Sequence, residues 1–138
     1  GSTGFTSLQL LAEECDVLTF HVPLYKEGKY KTFHLADQSF FRSLKRAPII
    51  INTSRGEVIE TKALLEALEN GLISDAVIDV WENEPDINLT LLNKVFIGTP
   101  DIRQMEKRTL PACRWILFAS TLAYRLIIEL FHPNRKIR

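Results

Sequence analysis

Cysteine is scarce in this chain, and the little there is forms no pattern. Cys15 and Cys113 are the two it has, in unlike surroundings, so no disulfide framework is expected and a reducing cytoplasm suits the composition. An excess of charge of one sign is missing as well, because 17 basic side chains face 17 acidic ones. Without a net field nothing steers the chain toward nucleic acid or an acidic membrane, which leaves a small molecule or another protein as the expected partner. Long apolar runs are absent too. The longest, residues 115–124, is closed by Arg114 and Arg125, short of the roughly 18 residues that a spanning helix requires. Residues 1–4 carry no basic-then-apolar leader. There is no internal repeat, and the basic ending Asn134-Arg-Lys-Ile-Arg138 is too short to argue for nucleic acid.

What the chain does have is 46% apolar content in 138 residues, enough for the core of one domain and too little for a two-domain enzyme. Short β-branched runs alternate with helical stretches over the first hundred residues, the pattern of parallel strands joined by crossover helices. The first strand is expected over residues 16–22, closed by Pro23. A polar connection and a helix running to about Lys45 follow, with Leu35, Phe40, Phe41 and Leu44 on the apolar side. Ile49-Ile50-Ile51 reads as a second, buried strand. Residues 61–70 are the best-signalled helix, with Leu64, Leu65 and Leu68 on one face and Gly71 as a left-handed cap. A third strand is expected from about Ala76 to Val80, then a short Leu89-rich helix, then a fourth strand at Val95-Phe96-Ile97. Four near-continuous apolar strands predict a sheet covered on both faces. Beyond Pro100 the rhythm stops, so residues 101–138 are expected to be an atypical tail, either one helix or disordered.

An open parallel sheet places its ligands outside the carboxyl ends of its strands. Three polar features lie at such ends: Asn52-Thr53-Ser54-Arg55-Gly56, then Asp79 to Pro85, then Thr99-Pro100. Arg55 beside a glycine can present a planar fork to a carboxylate or phosphate, although an isolated Arg-Gly is more often a surface residue in a turn. Glu84 before Pro85 could orient a basic partner, although an exposed turn carboxylate is the commoner case. Asp79 is harder to dismiss, because a carboxylate ending the buried run Ala76-Val77-Ile78 needs donors to offset its desolvation.

In order and spacing these features resemble one family. The stretch from Ile49 to Leu68, the stretch from Gly71 to Pro85 and the segment from Asp16 to Leu24 are similar to the signature of D-isomer-specific 2-hydroxyacid dehydrogenases. The resemblance runs over about residues 5–100. It implies the second half of a Rossmann-like, doubly wound parallel sheet, with residues 1–100 a partial NAD-binding domain. It also implies an oxidoreductase acting on the CH–OH group of a D-2-hydroxyacid, with NAD as cofactor and no metal. Arg55 would bind the substrate carboxylate, Asp79 would contact the nicotinamide amide, and Val22 and Thr53 would lie along the cofactor. Glu84 would hydrogen-bond the histidine that takes the hydroxyl proton. The long connection from Tyr25 to Leu35 and Trp81 within Asp79-Val-Trp81-Glu82 are most similar to one branch of the family, which oxidises a phosphorylated four-carbon hydroxyacid in vitamin B6 synthesis.

Where this chain departs from the family is the position after Thr99-Pro100. The family has His there, within Thr-Pro-His-Ile-Ala-Gly-Tyr-Ser, and this chain has Asp101. A carboxylate with an ordinary pKa near ~3.9 is a poor match to a hydroxyl proton. His21 and His34 read as structural residues of the first crossover unit, not as substitutes. Choosing permitted codons for residues 101–114 and moving the frame back by one base yields Gly-Tyr-Ser-Ala-Asp-Gly-Lys-Ala-Asn-Ala-Thr-Arg-Met-Ser, the continuation expected of the family. A short deletion that removed His-Ile-Ala and shifted the frame after Pro100 is therefore expected, with an amphipathic helix over residues 116–131, docked on the sheet or on a partner, as the alternative, and membrane anchoring by residues 115–131 as a third. No Gly-rich turn follows a strand near the start, so the adenosine side of the cofactor site and the substrate domain are expected to be absent. The chain alone is then expected to be inactive, and the competing expectation is a non-catalytic binding or assembly module that self-associates through the exposed edge of the first strand.

Overall fold

The computed structural model describes residues 6–99. The expectations for Asp101, for the frame change and for the tail lie outside those residues.

Nine short elements make up the described part. Helix α1 (Leu8–Glu14) begins where the Ser7 hydroxyl accepts a hydrogen bond from the Leu10 amide at 3.2 Å. It was not anticipated, although Ser7 followed by Leu8, Leu11 and Ala12 is a capping residue ahead of an apolar i, i+3, i+4 spacing. Strand β1 (Val17–Phe20) stops two residues earlier than expected, ahead of Pro23. Helix α2 (Gln38–Ser43) is capped by the Asp37 carboxylate, which accepts from the Phe40 amide at 2.8 Å. Strand β2 (Ile49–Asn52), a 3-10 turn (Gly56–Val58) and helix α3 (Thr61–Glu69) follow. The α3 C-terminus closes as its sequence predicted: Gly71 adopts φ 66°, and the Leu72 amide returns to the Ala67 carbonyl at 2.9 Å. Strand β3 (Asp75–Ile78) ends just before Asp79. Helix α4 (Leu89–Leu92) is capped by Asn88, and strand β4 (Ile97–Gly98) is the last element.

All three strand pairings are parallel, in the order β1-β2-β3-β4, with Leu18 beside Ile50, Ile50 beside Ala76, and Val77 beside Ile97. Each strand therefore delivers its carboxyl end to the same edge. Parallel strands taken in consecutive order put right-handed crossovers on one face, and the contacts agree: α1 touches α2, α2 touches α3, and α3 touches α4. The core lies beneath this helical layer. It joins Leu18, Phe20, Ile50, Ala76 and Ile78 to Ala12, Phe40, Phe41, Ala63, Leu64, Ala67 and Leu91. Phe40 meets both Phe20 and Phe41 edge-on, at centroid distances of 6.0 and 5.5 Å. Residues of the other parity, Ile51 and Val77, are buried but stand outside that cluster. The described helices pack on one face, and Ile51 and Val77 on the other are buried as well, as a sheet covered on both faces requires.

Between β1 and α2 the chain runs as a strap along the segment after β2. The His34 amide donates to the Glu57 carbonyl at 2.8 Å, the Ala36 amide to Val58 at 3.1 Å, and the Glu60 amide to Ala36 at 3.1 Å. Ala36 and Ile59 form a parallel bridge. The strap is what ties the first crossover to the loop carrying Arg55.

Candidate active site at the carboxyl edge of the sheet

Asn52, the last residue of β2, is 1% exposed and is the one buried polar residue in the described core. Burying an amide is costly unless its donors and acceptors are satisfied, and here the turn satisfies them. Its Nδ2 donates to the Arg55 carbonyl at 2.9 Å, while its Oδ1 accepts from the Ser54 amide at 3.1 Å and the Ser54 hydroxyl at 3.0 Å. The turn after β2 is in effect wrapped around one side chain. Arg55 thereby keeps an extended backbone, φ −144° and ψ 136°, and an exposed side chain whose Nη1 donates to the Ser54 carbonyl at 2.7 Å. No ion pair among the described residues includes Arg55.

Gly56 explains why a glycine follows. A Cβ built there would sit 2.0 Å from the Trp81 carbonyl oxygen and 2.6 Å from the Glu82 nitrogen. No side chain fits that gap. The β2 loop and the β3 loop therefore meet backbone to backbone at Gly56, which sets Arg55 next to the loop that carries Asp79 and Glu84.

Asp79 begins that second loop. Its amide donates to the Asn52 carbonyl at 3.0 Å, and its Oδ1 accepts a hydrogen bond from the Thr99 hydroxyl. The Thr99 amide in turn donates to the Ile78 carbonyl at 3.0 Å, so Asp79 joins the ends of β2, β3 and β4. Glu84 is exposed and turns back on its own loop, its Oε1 accepting from the Trp81 amide at 2.8 Å. Thr53 is exposed just beyond β2, and half-buried Val22 lies just beyond β1 against the core. The sequence-chosen residues Val22, Thr53, Arg55, Asp79 and Glu84 thus all follow strand ends on one edge of one sheet.

Two neighbouring residues escaped the sequence reading as parts of this edge. Glu82 has a side chain only 14% exposed; its Oε1 lies 2.6 Å from His34 Nε2, and its Oε2 accepts from the Thr61 amide at 2.9 Å. Burial pushes its carboxyl pKa up, but the hydrogen bonds from Thr61 and His34, with the attraction of the imidazole, outweigh burial and hold it below the ordinary carboxylate value. Glu82 so clips the β3 loop to the strap and to the first turn of α3, whose amides have no partner within the helix. The only sequence signal for it was a carboxylate three residues past Asp79, facing a histidine 48 positions away. His34 is consumed by this pair and by stacking on Phe33 at 3.9 Å. His21 is likewise engaged, 2.8 Å from the Thr19 hydroxyl.

A cavity of about 10 Å³ beneath the two loops is lined by residues that include Asn52, Gly56, Trp81 and Glu82. That is at the lower limit for a single water, too small for a substrate. Among the described residues no group of three or more His, Cys, Asp or Glu could hold a metal ion, and no helix is long and apolar enough to cross a membrane.

The chain is similar to known proteins over most of its length. Residues 2–100 fit the family model described as D-isomer specific 2-hydroxyacid dehydrogenase, NAD binding domain. Erythronate-4-phosphate dehydrogenase of Bacteroides thetaiotaomicron is 74% identical over 102 residues, which is 74% of this chain and 29% of that protein. The enzyme of the same name from Escherichia coli is 54% identical over 98 residues, covering 71% of this chain and 26% of its own length. This chain therefore spans less than a third of the curated relatives it matches. Among solved structures, the holo form of Rhodotorula graminis D-mandelate dehydrogenase superposes with a TM-score of 0.61 at 32% identity, over 91% of this chain and 34% of that one. The TT0316 protein of Thermus thermophilus gives 0.59 at 36% identity, over 71% and 30%.

Proposed function

The chain belongs to the D-isomer specific 2-hydroxyacid dehydrogenases through their NAD-binding domain, and on that basis we propose that it supplies the nicotinamide side of a dehydrogenase site for 4-phospho-D-erythronate, on the route to pyridoxal 5'-phosphate. The observation that carries this reading is the gathering of Arg55, Asp79 and Glu84 at one sheet edge, with Gly56 pressing their two loops together.

Each residue has a role that its surroundings allow. The Arg55 guanidinium, exposed and outside every described ion pair, takes the substrate carboxylate through two parallel charge-assisted hydrogen bonds and polarises the carbon beside it. A bound NAD would supply the acceptor for the hydride leaving that carbon. Asp79 fits the nicotinamide side because Thr99 occupies only one acceptor position of its carboxylate, leaving others for an amide N–H. Val22 and Thr53 border the same space. Glu84 serves to orient a proton acceptor and hold it charged.

The proton acceptor itself is where this chain parts from its relatives' chemistry. Asp101 stands at the histidine position, and the two described histidines beside the edge are engaged by Thr19 and Glu82. Losing a positioned base costs about 10² to 10⁴ in rate, so the purified chain with NAD and 4-phospho-D-erythronate should give no growth of reduced-nicotinamide absorbance. Turnover above background would overturn the inactive reading. Addition of NAD should still move the NMR signals of Thr53 and Asp79; if those signals stay fixed, the cofactor assignment fails. A frame change after the Pro100 codon accounts for Asp101 and for the tail, and sequencing across that codon tests it: a gene whose shifted frame does not encode the family's continuation removes the explanation.

One observation favours a second reading, a non-catalytic assembly module. Among the described strands β1 is paired on one side only, and an unpaired edge is a template for another strand. A discrete dimer in light scattering supports self-association, and a monomer excludes it.

A further inference from the structure

The strap between β1 and α2 carries a feature that the dehydrogenase reading does not use. Residues 25–31 hold Lys26, Lys29 and Lys31 against a single acid, Glu27, in a chain whose overall charge is zero. Lysines on a loop are usually just solvated. Two observations separate these from that case.

First, the loop is closed and fixed. The Thr32 hydroxyl donates to the Pro23 carbonyl at 2.5 Å and accepts from the Tyr25 amide at 2.8 Å, while the Thr32 and Phe33 amides both donate to the Tyr25 carbonyl, at 2.9 and 3.0 Å. Gly28, at φ 89°, makes the bend that lets the Lys31 amide reach the Gly28 carbonyl at 3.2 Å. On this base Lys26 and Lys31 converge on one ring, their ammonium groups 5.8 and 5.6 Å from the Phe33 centroid. Two like charges on one short loop raise the local positive potential, which favours an anion beside them. Lys26 is partly answered by Glu57 at 3.5 Å; Lys31 has no carboxylate within ion-pair distance among the described residues.

Second, the loop is docked on the segment that starts at Arg55. Glu57, two residues beyond Arg55, receives both the Lys26 ion pair and the His34 amide. The strap that carries the lysines is therefore tied to the segment that follows Arg55.

We propose that Lys26 and Lys31 form a subsite for the phosphomonoester at the far end of the substrate from the carboxylate. It rests on the hydroxyacid reading above and adds to it the group that selects a phosphorylated acid over a plain one. A phosphomonoester carries about −1.5 to −2 charge at neutral pH, and an ammonium meets it as a point charge with no required geometry, which suits two flexible side chains on a fixed loop. Lys29, 5.4 Å from the Tyr30 centroid, lies on the same loop and adds long-range attraction only.

Calorimetric titration of the full chain with D-erythronate, 4-phospho-D-erythronate, inorganic phosphate and NAD tests the proposal. The phosphorylated acid should bind about fivefold more tightly than D-erythronate, the scale set by two exposed charge pairs. In the K26Q/K31Q variant that ratio should fall to about one. In R55Q both acids should weaken while the ratio persists. A ratio of one in the parent chain, no detectable binding of the phosphorylated acid at millimolar concentration, or a ratio that survives K26Q/K31Q overturns the subsite. If K26Q/K31Q weakens NAD instead, the lysines serve the cofactor's pyrophosphate and the proposal is wrong. R55Q that leaves D-erythronate affinity untouched removes the carboxylate reading alone, so the two failures are distinguishable. Both substituted lysines are exposed, and circular dichroism checks that the variant keeps its fold.

Discussion

The helix-covered face of the sheet and its carboxyl edge are made from opposite materials. On the face, alternate strand residues pack against the apolar sides of four helices, and among the described residues nothing polar is buried except Asn52 at its rim. At the edge, the loops are held by side chains that hydrogen-bond backbone: Asn52 to Arg55 and Glu84 to Trp81 within their own turns, and Glu82 across to Thr61 at the start of α3. The difference separates two jobs. Apolar burial is non-directional and sets stability, whereas a hydrogen bond works over a narrow range of distance and angle and so sets position.

Substitutions that act on one region and spare the other sharpen that contrast, and the largest effect belongs to the face. Phe41 is 1% exposed and contacts Phe40 edge-on. Phe41→Ala should cost about 3–5 kcal/mol of unfolding free energy, read by urea denaturation. Should the cost fall below about 1 kcal/mol, within the range of surface substitutions, the helical layer is not what holds the sheet.

Gly56→Ala comes next and acts at the junction. Its new Cβ would lie 2.0 Å from the Trp81 carbonyl oxygen, which is backbone and cannot rotate away. The two loops must part, at a cost of about 1–3 kcal/mol typical of overpacking, and the Arg55 and Asp79 amide signals should both move. Movement of one loop without the other would mean that they are not coupled at Gly56.

Glu82→Gln should cost about 1–2 kcal/mol, since amide replaces carboxylate in a half-satisfied pair, and its pH signature is specific. The folded pKa of Glu82 is depressed, so its contribution is fully present above the unfolded value, near 4.5, and is lost as pH falls through the lower folded value. The difference in stability between parent and variant should therefore shrink on acidification below that ordinary carboxylate range and stay constant toward neutrality. A difference that grows in acid would mean that the His34 pairing does not favour the ionised carboxylate.

The face was the legible region. Leu64, Leu65 and Leu68 repeat at helical spacing, Ile49 to Ile51 is an unbroken apolar run, and Gly71 marks the end of α3, so each element could be read from local periodicity, although Ala63 and Ala67 are buried more fully than Leu65 and Leu68. Helix α1 has the same kind of signal and was simply short. The edge was legible in its positions, because residues after parallel strands must share one edge, but not in its bonds. His34 with Glu82 is a pairing across 48 residues, Gly56 owes its identity to a carbonyl 25 positions on, and neither has a local pattern to read. The two-sided burial was legible too, but not what supplies it. Burial of Ile51 and Val77 predicts that something lies over that face, but run length cannot say that the chain's own described helices all lie on the other.

The smallest effect on stability should come from Arg55, and that is what makes it the sharpest test of the edge. Its guanidinium is exposed, accepts no load from the core and donates only to the Ser54 carbonyl next to it. Arg55→Lys should therefore shift unfolding by no more than about 0.5 kcal/mol. Binding of D-erythronate should nevertheless fall by about tenfold, since a lysine keeps the charge and loses the second parallel hydrogen bond. Stability and binding would then change independently at one residue, as an edge built for position requires. If Arg55→Lys destabilises the fold as much as Glu82→Gln does, or leaves D-erythronate binding intact, the guanidinium is part of the scaffold and the separation between face and edge does not hold at the residue where it matters most.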